Sequence, residues 1–181
     1  MSNTRILILL GSLRADSVNL KLAELAVASA PDGVDAEIYL GGLDAVPFYN
    51  EDLDVEAARP EAAVRLRAAV GAADAVLIVT PEYNGGLPAV VKNAIDWLSR
   101  PYGDSVLSDK PVAVIGAAAG RFGGVWAHDD ARKSLGIAGA RVVDEVKLSQ
   151  PLSALDGRHP RENAETAAAV RDAVAQLAGL L

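Results

Sequence analysis

The sequence predicts an α/β protein with a parallel sheet that is covered by helices on both faces. Short apolar segments of strand type alternate along the chain with longer segments of helical spacing. Several short segments, among them residues 6–10 and 75–79, are apolar at every position, which is typical of strands buried on both faces. Strands that alternate with helices in this way form βαβ units and therefore parallel sheets.

Five strands are predicted, each from a short run in which apolar residues are continuous or alternate with polar ones. The second run alternates, so we expect this strand to be less buried than the first. In chain order, the predicted strands are residues 6–10, 34–40, 75–79, 111–115 and 140–146.

Five helices are predicted between and after these strands, from apolar residues spaced three or four apart. In the first helix, Leu22, Leu25 and Ala26 share a face, and the Pro-Asp-Gly sequence at residues 31–33 ends it. Pro60 and Pro88 suit the first turns of later helices, where a missing N–H costs little. The predicted helices are residues 18–30, 57–73, 87–99, 125–135 and 162–181, with aperiodic loops at residues 41–55 and 116–124.

The composition indicates one folded, acidic domain. The chain has 181 residues, of which 51% are hydrophobic, so it can enclose one core. Its net charge of −7 argues against nucleic acid or an anionic membrane as the main partner. The apolar run at residues 6–10 is too short for a secretory leader, and no run approaches the roughly 20 residues of a membrane span. We therefore expect a cytoplasmic protein.

Residues suited to metal binding or thiol chemistry are scarce in the sequence. The chain has no cysteine, which excludes disulfides, thiolate nucleophiles and cysteine-ligated metals. The two histidines, His128 and His159, are too few and too far apart to indicate a zinc site, and we expect both at the surface. No metal is therefore expected.

Three segments rich in glycine and polar residues follow predicted strands. They are residues 11–19, 80–86 and 116–124. In an open α/β sheet, ligands bind beyond the carboxyl ends of the strands, where the strand order reverses. These segments are therefore the candidate binding loops.

The first loop has the composition of a phosphate site. Ser12, Ser17 and Asn19 can donate hydrogen bonds, Arg14 adds a positive charge, and the start of the following helix offers free N–H groups. The alternative is that Asp16 or Ser17 only caps this helix. Neither a Walker A loop nor the Rossmann glycine pattern is present.

The second loop has the composition of a site for the edge of a flat heterocycle. Pro81 fixes one backbone angle, Tyr83 offers a flat surface, and Asn84 offers both a donor and an acceptor. Gly85 allows a ligand to approach the backbone closely. The alternative is a plain turn between a strand and a helix.

The third loop consists largely of small residues. Residues such as Ala118 and Gly120 permit close approach to the backbone, and Arg121 or Phe122 could cover a bound ring. Tight packing without a ligand explains the same composition equally well.

Three motifs resemble those of the NADPH-dependent FMN reductases, a group that includes bacterial chromate and quinone reductases and related azoreductases. Residues 11–19 read Gly-Ser-Leu-Arg-x-x-Ser-x-Asn, and residues 46–52 read Val-Pro-Phe-Tyr-Asn-Glu-Asp. Residues 80–100 read Thr-Pro-Glu-Tyr-Asn-Gly-Gly-Leu-Pro-Ala-Val-Val-Lys-Asn-Ala-Ile-Asp-Trp-Leu-Ser-Arg. The similarity extends over residues 5–141 in the family's order.

The resemblance implies a flavodoxin-like three-layer sandwich of strand order 2-1-3-4-5 that binds FMN. It also implies which residues contact the cofactor. Family members often carry serine where this chain has Ala118 and Ala119. The serine side-chain hydrogen bonds are therefore lost here, and Ala118 and Gly120 are expected to contribute backbone contacts only. The implied phosphate ligands are Ser12, Arg14, Ser17 and Asn19, and the implied ribityl and ring contacts are Pro81, Glu82, Tyr83, Asn84, Gly85, Ala118 and Gly120.

The implied activity is electron transfer from NADPH or NADH through the flavin to a small acceptor, such as a quinone, chromate, an azo compound or free flavin. The flavin carries this chemistry, so no side chain is expected to be catalytic. Arg100 or Arg121 is expected to attract the anionic NADPH or an anionic acceptor, with an ordinary surface charge as the equal alternative for each. The alternatives are a flavodoxin-type electron carrier without enzymatic activity and a flavin-free binding module.

The resemblance further implies a homodimer or homotetramer that forms through the helix at residues 87–99 and the loop at residues 49–51. We accordingly expect Trp97 to pack against a partner subunit. For Glu82 we favour a structural role, in which it pairs across a subunit interface, over a direct role at the flavin.

Overall fold

Five parallel strands form the central sheet of the structure, a computed structural model that describes residues 3–181. Their order is β2-β1-β3-β4-β5, which confirms the order that the family resemblance implied. The strands are β1 (Thr4–Leu10), β2 (Val34–Ile38), β3 (Ala75–Val79), β4 (Pro111–Ala118) and β5 (Arg141–Pro151). The helices are α1 (Val18–Ala28), α2 (Glu61–Ala72), α3 (Ala89–Leu98), α4 (Val125–Ile137), α5 (Leu152–Leu155) and α6 (Ala164–Ala178).

Helices cover the sheet on both faces and enclose two separate apolar cores. Side chains of a strand point alternately to opposite faces, so Leu7 and Leu9 of β1 enter one core whereas Ile6 and Ile8 enter the other. Buried residues of α2, α3 and α4 complete the first core, and those of α1 and α6 complete the second. β3 is buried at every position, and the edge strand β2 is half-exposed, as its alternating pattern predicted.

The bounds of several elements differ from the prediction for identifiable reasons. α2 begins only after Pro60, because the residue that precedes a proline is disfavoured in a helical conformation. β4 continues through Ala118, where the sequence predicted a loop from Gly116 onward, because residues 116–118 pair with β5. Alanine and glycine have low strand propensity, so only this pairing reveals the strand. α5 and the two 3₁₀ turns, Glu51–Leu53 and Pro160–Glu162, were not predicted.

The aperiodic loop before α2 is anchored to α3 through its backbone. The Asn93 side chain accepts from the Tyr49 N–H (2.8 Å) and donates to the Val46 and Pro47 carbonyls (3.0 Å each). The indole of Trp97 donates to the Pro47 carbonyl (2.7 Å). Trp97 is fully buried within its own chain, so the expectation that it packs against a partner subunit is wrong.

A partly buried ion cluster ties the end of the same loop to α2 and α3. Arg67 makes two hydrogen bonds to the Asp54 carboxylate (2.7 and 2.6 Å), and Arg59 makes one (2.7 Å). These guanidinium groups, Arg67 foremost, lower the pKa of the Asp54 carboxyl. The Arg67 Nε also donates to the Trp97 carbonyl (2.8 Å), which links the cluster to the anchor on α3.

Gly11, which follows β1, and Gly116 of β4 allow these two strands to pack closely against Thr80, which follows β3. A Cβ on Gly116 would lie 1.9 Å from the Thr80 carbonyl oxygen, and one on Gly11 would lie 2.5 Å from the Thr80 hydroxyl oxygen. Real Cβ atoms do not approach other atoms so closely. Tight packing is therefore the role of Gly116, which was one of the two interpretations of the third loop.

We predict that Gly116→Ala lowers the free energy of unfolding by about 3 kcal/mol or more, because the new methyl group would force the Thr80 backbone away from β4. Gly136→Ala is the matched control, since a Cβ at that position in α4 meets only Val142 at 4.0 Å. It should stabilise the protein by about 0.5–1 kcal/mol, because glycine is costly inside a helix. Urea titration of both variants measures these changes, and a Gly116→Ala variant as stable as wild type would contradict the packing argument.

Candidate functional site

The three predicted loops meet at one edge of the sheet, beyond the carboxyl ends of β1, β3 and β4. These strands are neighbours in the order β2-β1-β3-β4-β5, and the order reverses between β1 and β3. A crevice at such a reversal is the usual ligand site of an open α/β sheet. Here a cavity of about 270 Å³ separates the first two loops, and its lining includes Leu13, Arg14, Tyr83 and Pro88.

The first loop presents a set of hydrogen-bond donors. In the chain from residue 3 onward, the backbone N–H groups of residues 12–16 donate to no protein acceptor. Ser17 caps α1, since its Oγ accepts from the Leu20 N–H (2.9 Å), while its hydroxyl hydrogen stays available to a second partner. Ser12 is buried at the base of the loop, and Arg14 is exposed beside it. Free N–H groups, a helix start and a guanidinium together suit a bound anion such as a phosphate.

Asn19, which was expected to contact the phosphate, has its side chain turned to β4 instead. Its Nδ2 donates to the Ala117 carbonyl (2.9 Å), and its Oδ1 accepts from the Ala117 N–H (2.8 Å). The side chain is buried between the two elements. The structure thus replaces the expected phosphate contact with a positioning role, in which Asn19 ties the start of α1 to the end of β4.

The second loop contains a tight turn that displays two polar side chains. The Tyr83 N–H donates to the Gly86 carbonyl (3.1 Å), and the Gly86 N–H donates to the Tyr83 carbonyl (3.0 Å). Asn84 and Gly85 between them have φ angles of 53° and 74°, the pattern of a type I′ turn, which favours Asn-Gly. Tyr83 and Asn84 are exposed, Tyr83 lines the cavity, and Pro81 is buried.

Glu82 caps the N-terminus of α4. Its Oε2 accepts from the backbone N–H groups of Trp126 (3.1 Å) and Ala127 (3.2 Å). The residue at the N-cap position, Gly124, has no side chain to do this. A carboxylate is favourable at a helix N-terminus because it satisfies free donors and meets the positive end of the dipole. Glu82 therefore has a structural role, but within its own chain and not in the pairing across a subunit interface that we expected.

The third loop and the first turn of α4 carry two exposed aromatic residues. Ala118 is buried as the last residue of β4, whereas Gly120 is exposed. The Phe122 and Trp126 rings pack edge to face with centroids 5.5 Å apart, and the Arg121 guanidinium lies 5.4 Å from the Phe122 centroid. Both rings are more than half exposed.

His128 is fully buried behind the loops, so its expected surface location is wrong. Its Nε2 lies 3.0 Å from the Thr80 carbonyl oxygen, and its Nδ1 lies 2.7 Å from the Ser149 Oγ. A carbonyl only accepts, so Nε2 carries the hydrogen and the Ser149 hydroxyl donates to Nδ1. The imidazole thereby joins α4 to the ends of β3 and β5.

The charge state of His128 follows from its surroundings. Burial, chiefly, and the nearby Arg132 guanidinium lower the pKa of His128, against the opposing effects of the Thr80 carbonyl and the Glu82 and Asp129 carboxylates. Sequence reasoning missed this residue. The available signal was its spacing with Ala131 and Leu135, which places the three on one face of α4.

Arg100 does not join the site. It follows the far end of α3, where its guanidinium lies 5.8 Å from the Tyr49 ring centroid. It lines a separate cavity of about 540 Å³ beside the Asp54 ion cluster, together with Glu51 and Tyr102. Of the two arginines expected to attract anionic ligands, only Arg121 lies beside the candidate loops.

Residues 3–181 contain no group of three or more histidine, aspartate or glutamate side chains arranged to hold a metal ion. Over the same residues, no helix combines the length and apolar character that crossing a membrane requires.

A parallel sheet of order 2-1-3-4-5 with a donor-rich turn after β1 defines the flavodoxin-like class. Within that class, residues 4–153 match the family described as NADPH-dependent FMN reductase, and the chain belongs to this family. It is therefore an NAD(P)H-dependent oxidoreductase that uses FMN.

Characterised proteins similar to this chain have related activities. A 2-hydroxy-1,4-benzoquinone reductase of a Burkholderia species is 40% identical over 81% of this chain and 75% of its own length. An NAD(P)H-dependent FMN reductase of Pseudomonas aeruginosa is 38% identical over 85% of this chain and 82% of its own. The solved flavoenzyme NAD(P)H:(acceptor) oxidoreductase of Paracoccus denitrificans is 32% identical, with a TM-score of 0.82 over 97% of this chain and 96% of that one.

We predict that His128 makes the stability of the protein depend on pH. The unfolded imidazole binds a proton near pH 6.5, whereas the buried one resists it, so stability falls as the pH drops below about 6.5 toward the lowered pKa of His128. His128→Gln should lose this component, and His159→Gln, which removes the other histidine, should keep it. Urea unfolding at pH 7.5 and pH 5 measures the difference. An equal loss of stability in wild type and His128→Gln would contradict the prediction.

Proposed function

We propose that this protein reduces quinones with electrons from NAD(P)H, using FMN held at the three loops. The observation that carries the proposal is the donor-rich first loop, which shares an open crevice with the Tyr83–Asn84 turn. The donors of the first loop match the charge of a phosphate, and the turn offers an aromatic face and an amide to a flat ring. Bound FMN would supply two-electron transfer between a nicotinamide and an acceptor.

The protein's own residues would place the cofactor. Arg14, Ser12, Ser17 and the free N–H groups of the first loop would bind the phosphate, and Asn19 would hold that loop against β4. The flat ring would lie along the second loop and the backbone of the third. The proposed contacts there are Pro81, Tyr83, Asn84, Gly85, Ala118 and Gly120, with Glu82 holding α4 in place behind them.

Quinones are the acceptor class that the characterised relatives favour. Besides the benzoquinone reductase of Burkholderia, a quinone reductase of Pseudomonas putida is 44% identical over 72% of this chain and 68% of its own length. An open crevice also admits other small acceptors, so the proposed acceptors include chromate, azo compounds and free flavin.

A homodimer or homotetramer is part of the proposal. The loop anchored on α3 carries Phe48, and the segment after α3 carries Tyr102, both with strongly exposed aromatic rings. Exposed apolar side chains around one helix are typical of a protein–protein contact. Self-association would bury them.

We predict that Arg14→Ala weakens FMN binding by about 1.5–3 kcal/mol, or roughly 10- to 100-fold, since a charged hydrogen bond to phosphate is lost. Arg171→Ala, which removes an exposed arginine on α6, is the matched control and should bind FMN like wild type. Fluorescence titration of FMN with each apoprotein gives the affinities. An unchanged affinity in Arg14→Ala would refute the phosphate assignment.

We predict that the FMN-loaded protein oxidises NADPH when 1,4-benzoquinone is present. One open face serves donor and acceptor in turn, so double-reciprocal plots should be parallel. A flavodoxin-type carrier would bind FMN yet leave NADPH unoxidised, and a flavin-free module would bind no FMN. Steady-state absorbance measurements at several concentrations of both substrates separate the three cases.

A further inference from the structure

Three aromatic side chains stand half-exposed at the candidate loops and the start of α4, in a chain that is poor in aromatic residues. The sequence has only two tryptophans, four tyrosines and two phenylalanines. Tyr83 (52% exposed), Phe122 (51%) and Trp126 (55%) all lie at the candidate loops or on the first turn of α4. Large apolar surfaces left exposed together mark a site where another apolar body binds.

The position of Trp126 is fixed by the neighbouring loops. Glu82 holds its backbone N–H at the start of α4. Its ring lies beside the Asn84–Gly85 turn, because a Cβ on Gly85 would be 3.9 Å from the ring atom Cε3. Phe122 packs edge to face against the other part of the indole. The two rings therefore form a wall at the end of the proposed flavin site, next to the turn that would contact the flavin ring.

The chemistry of this wall suits a planar, electron-poor ring that gains negative charge. Aromatic faces favour stacked or edge-to-face contact with another ring. The Arg121 guanidinium beside Phe122 supplies a positive charge where quinone oxygens would become negative on reduction. A small inorganic acceptor such as ferricyanide has no ring to place against such a wall.

We propose that Trp126 and Phe122, with Arg121, form the binding site for the ring of a quinone acceptor and set the preference of the enzyme for aromatic over inorganic acceptors. This inference rests on the proposed function, since it requires quinone reduction at the three loops. Neither side chain takes part in the electron transfer itself. Both act by holding the acceptor at the crevice.

The test compares Trp126→Leu and Phe122→Leu with wild type on two acceptors. Loss of one aromatic contact should lower kcat/KM for 1,4-naphthoquinone about three- to tenfold in each variant, with kcat/KM for ferricyanide within about twofold of wild type. Trp126→Phe should restore most of the loss. Leu180→Ala is the control, because Leu180 is exposed and lies far from the loops. Its neighbour Leu181 lines a cavity with Thr4, at the start of β1 and so at the opposite edge of the sheet. This variant should match wild type with both acceptors.

A binding measurement without turnover provides a second readout. Equilibrium dialysis of 1,4-naphthoquinone against the oxidised, FMN-loaded protein, with no NADPH present, gives its Kd directly. This Kd should rise about three- to tenfold in Trp126→Leu, while the Kd for FMN stays unchanged.

Each contrary outcome has a distinct meaning. Unchanged quinone kinetics and Kd in both leucine variants would overturn the aromatic site and leave the proposed function standing. Equal losses with naphthoquinone and ferricyanide would also overturn it, because the rings would then act through the flavin site or through α4. A wild-type enzyme that reduces ferricyanide but no quinone would overturn both the proposed function and this inference.

Discussion

The close approach of three strand ends around Thr80 is the constraint on which the site depends. Thr80 is fully buried, its N–H donates to the Ile115 carbonyl (3.0 Å), and its own carbonyl oxygen lies within hydrogen-bonding distance of His128. Gly11 and Gly116 leave room for this packing because neither has a Cβ. All three candidate loops start within a few residues of this point. Backbone packing in the core therefore sets the separation at which the loops begin.

The two helices that begin at the candidate loops, α1 and α4, differ in how their N-terminal N–H groups are satisfied. At α1 the Ser17 hydroxyl satisfies one N–H group, while the loop before it keeps its free donors and the Arg14 charge. At α4 the Glu82 carboxylate takes the N–H groups of Trp126 and Ala127. An anion is therefore favoured at the first helix and disfavoured at the second, where a negative charge is already in place. The start of α1 therefore suits a phosphate, whereas the start of α4 carries the exposed Trp126 side chain instead.

Much of the fold was predictable because its signals are local. The apolar runs of β1 and β3 and the spacing of α3 appear directly in the sequence, and the observed strand order is the one that the family resemblance implied. The ends of elements were less predictable, as the extension of β4 through Ala118 shows, because pairing with β5 overrides the low strand propensity of alanine and glycine. The sequence also located the candidate loops. It did not show how their side chains divide between ligand and scaffold.

That division depends on partners distant in the chain. The residue types alone determined an acidic α/β protein, free of cysteine, with a donor-rich loop after its first strand and an Asn-Gly turn after its third. Tertiary structure decided that Asn19 faces Ala117, that Glu82 caps α4, and that His128 is buried against Thr80. In each case the same side chain could bind a ligand or stabilise the fold, because the adjacent residues in the sequence do not determine its hydrogen-bond partner. Only the groups that folding brings within hydrogen-bonding distance determine which partner it takes.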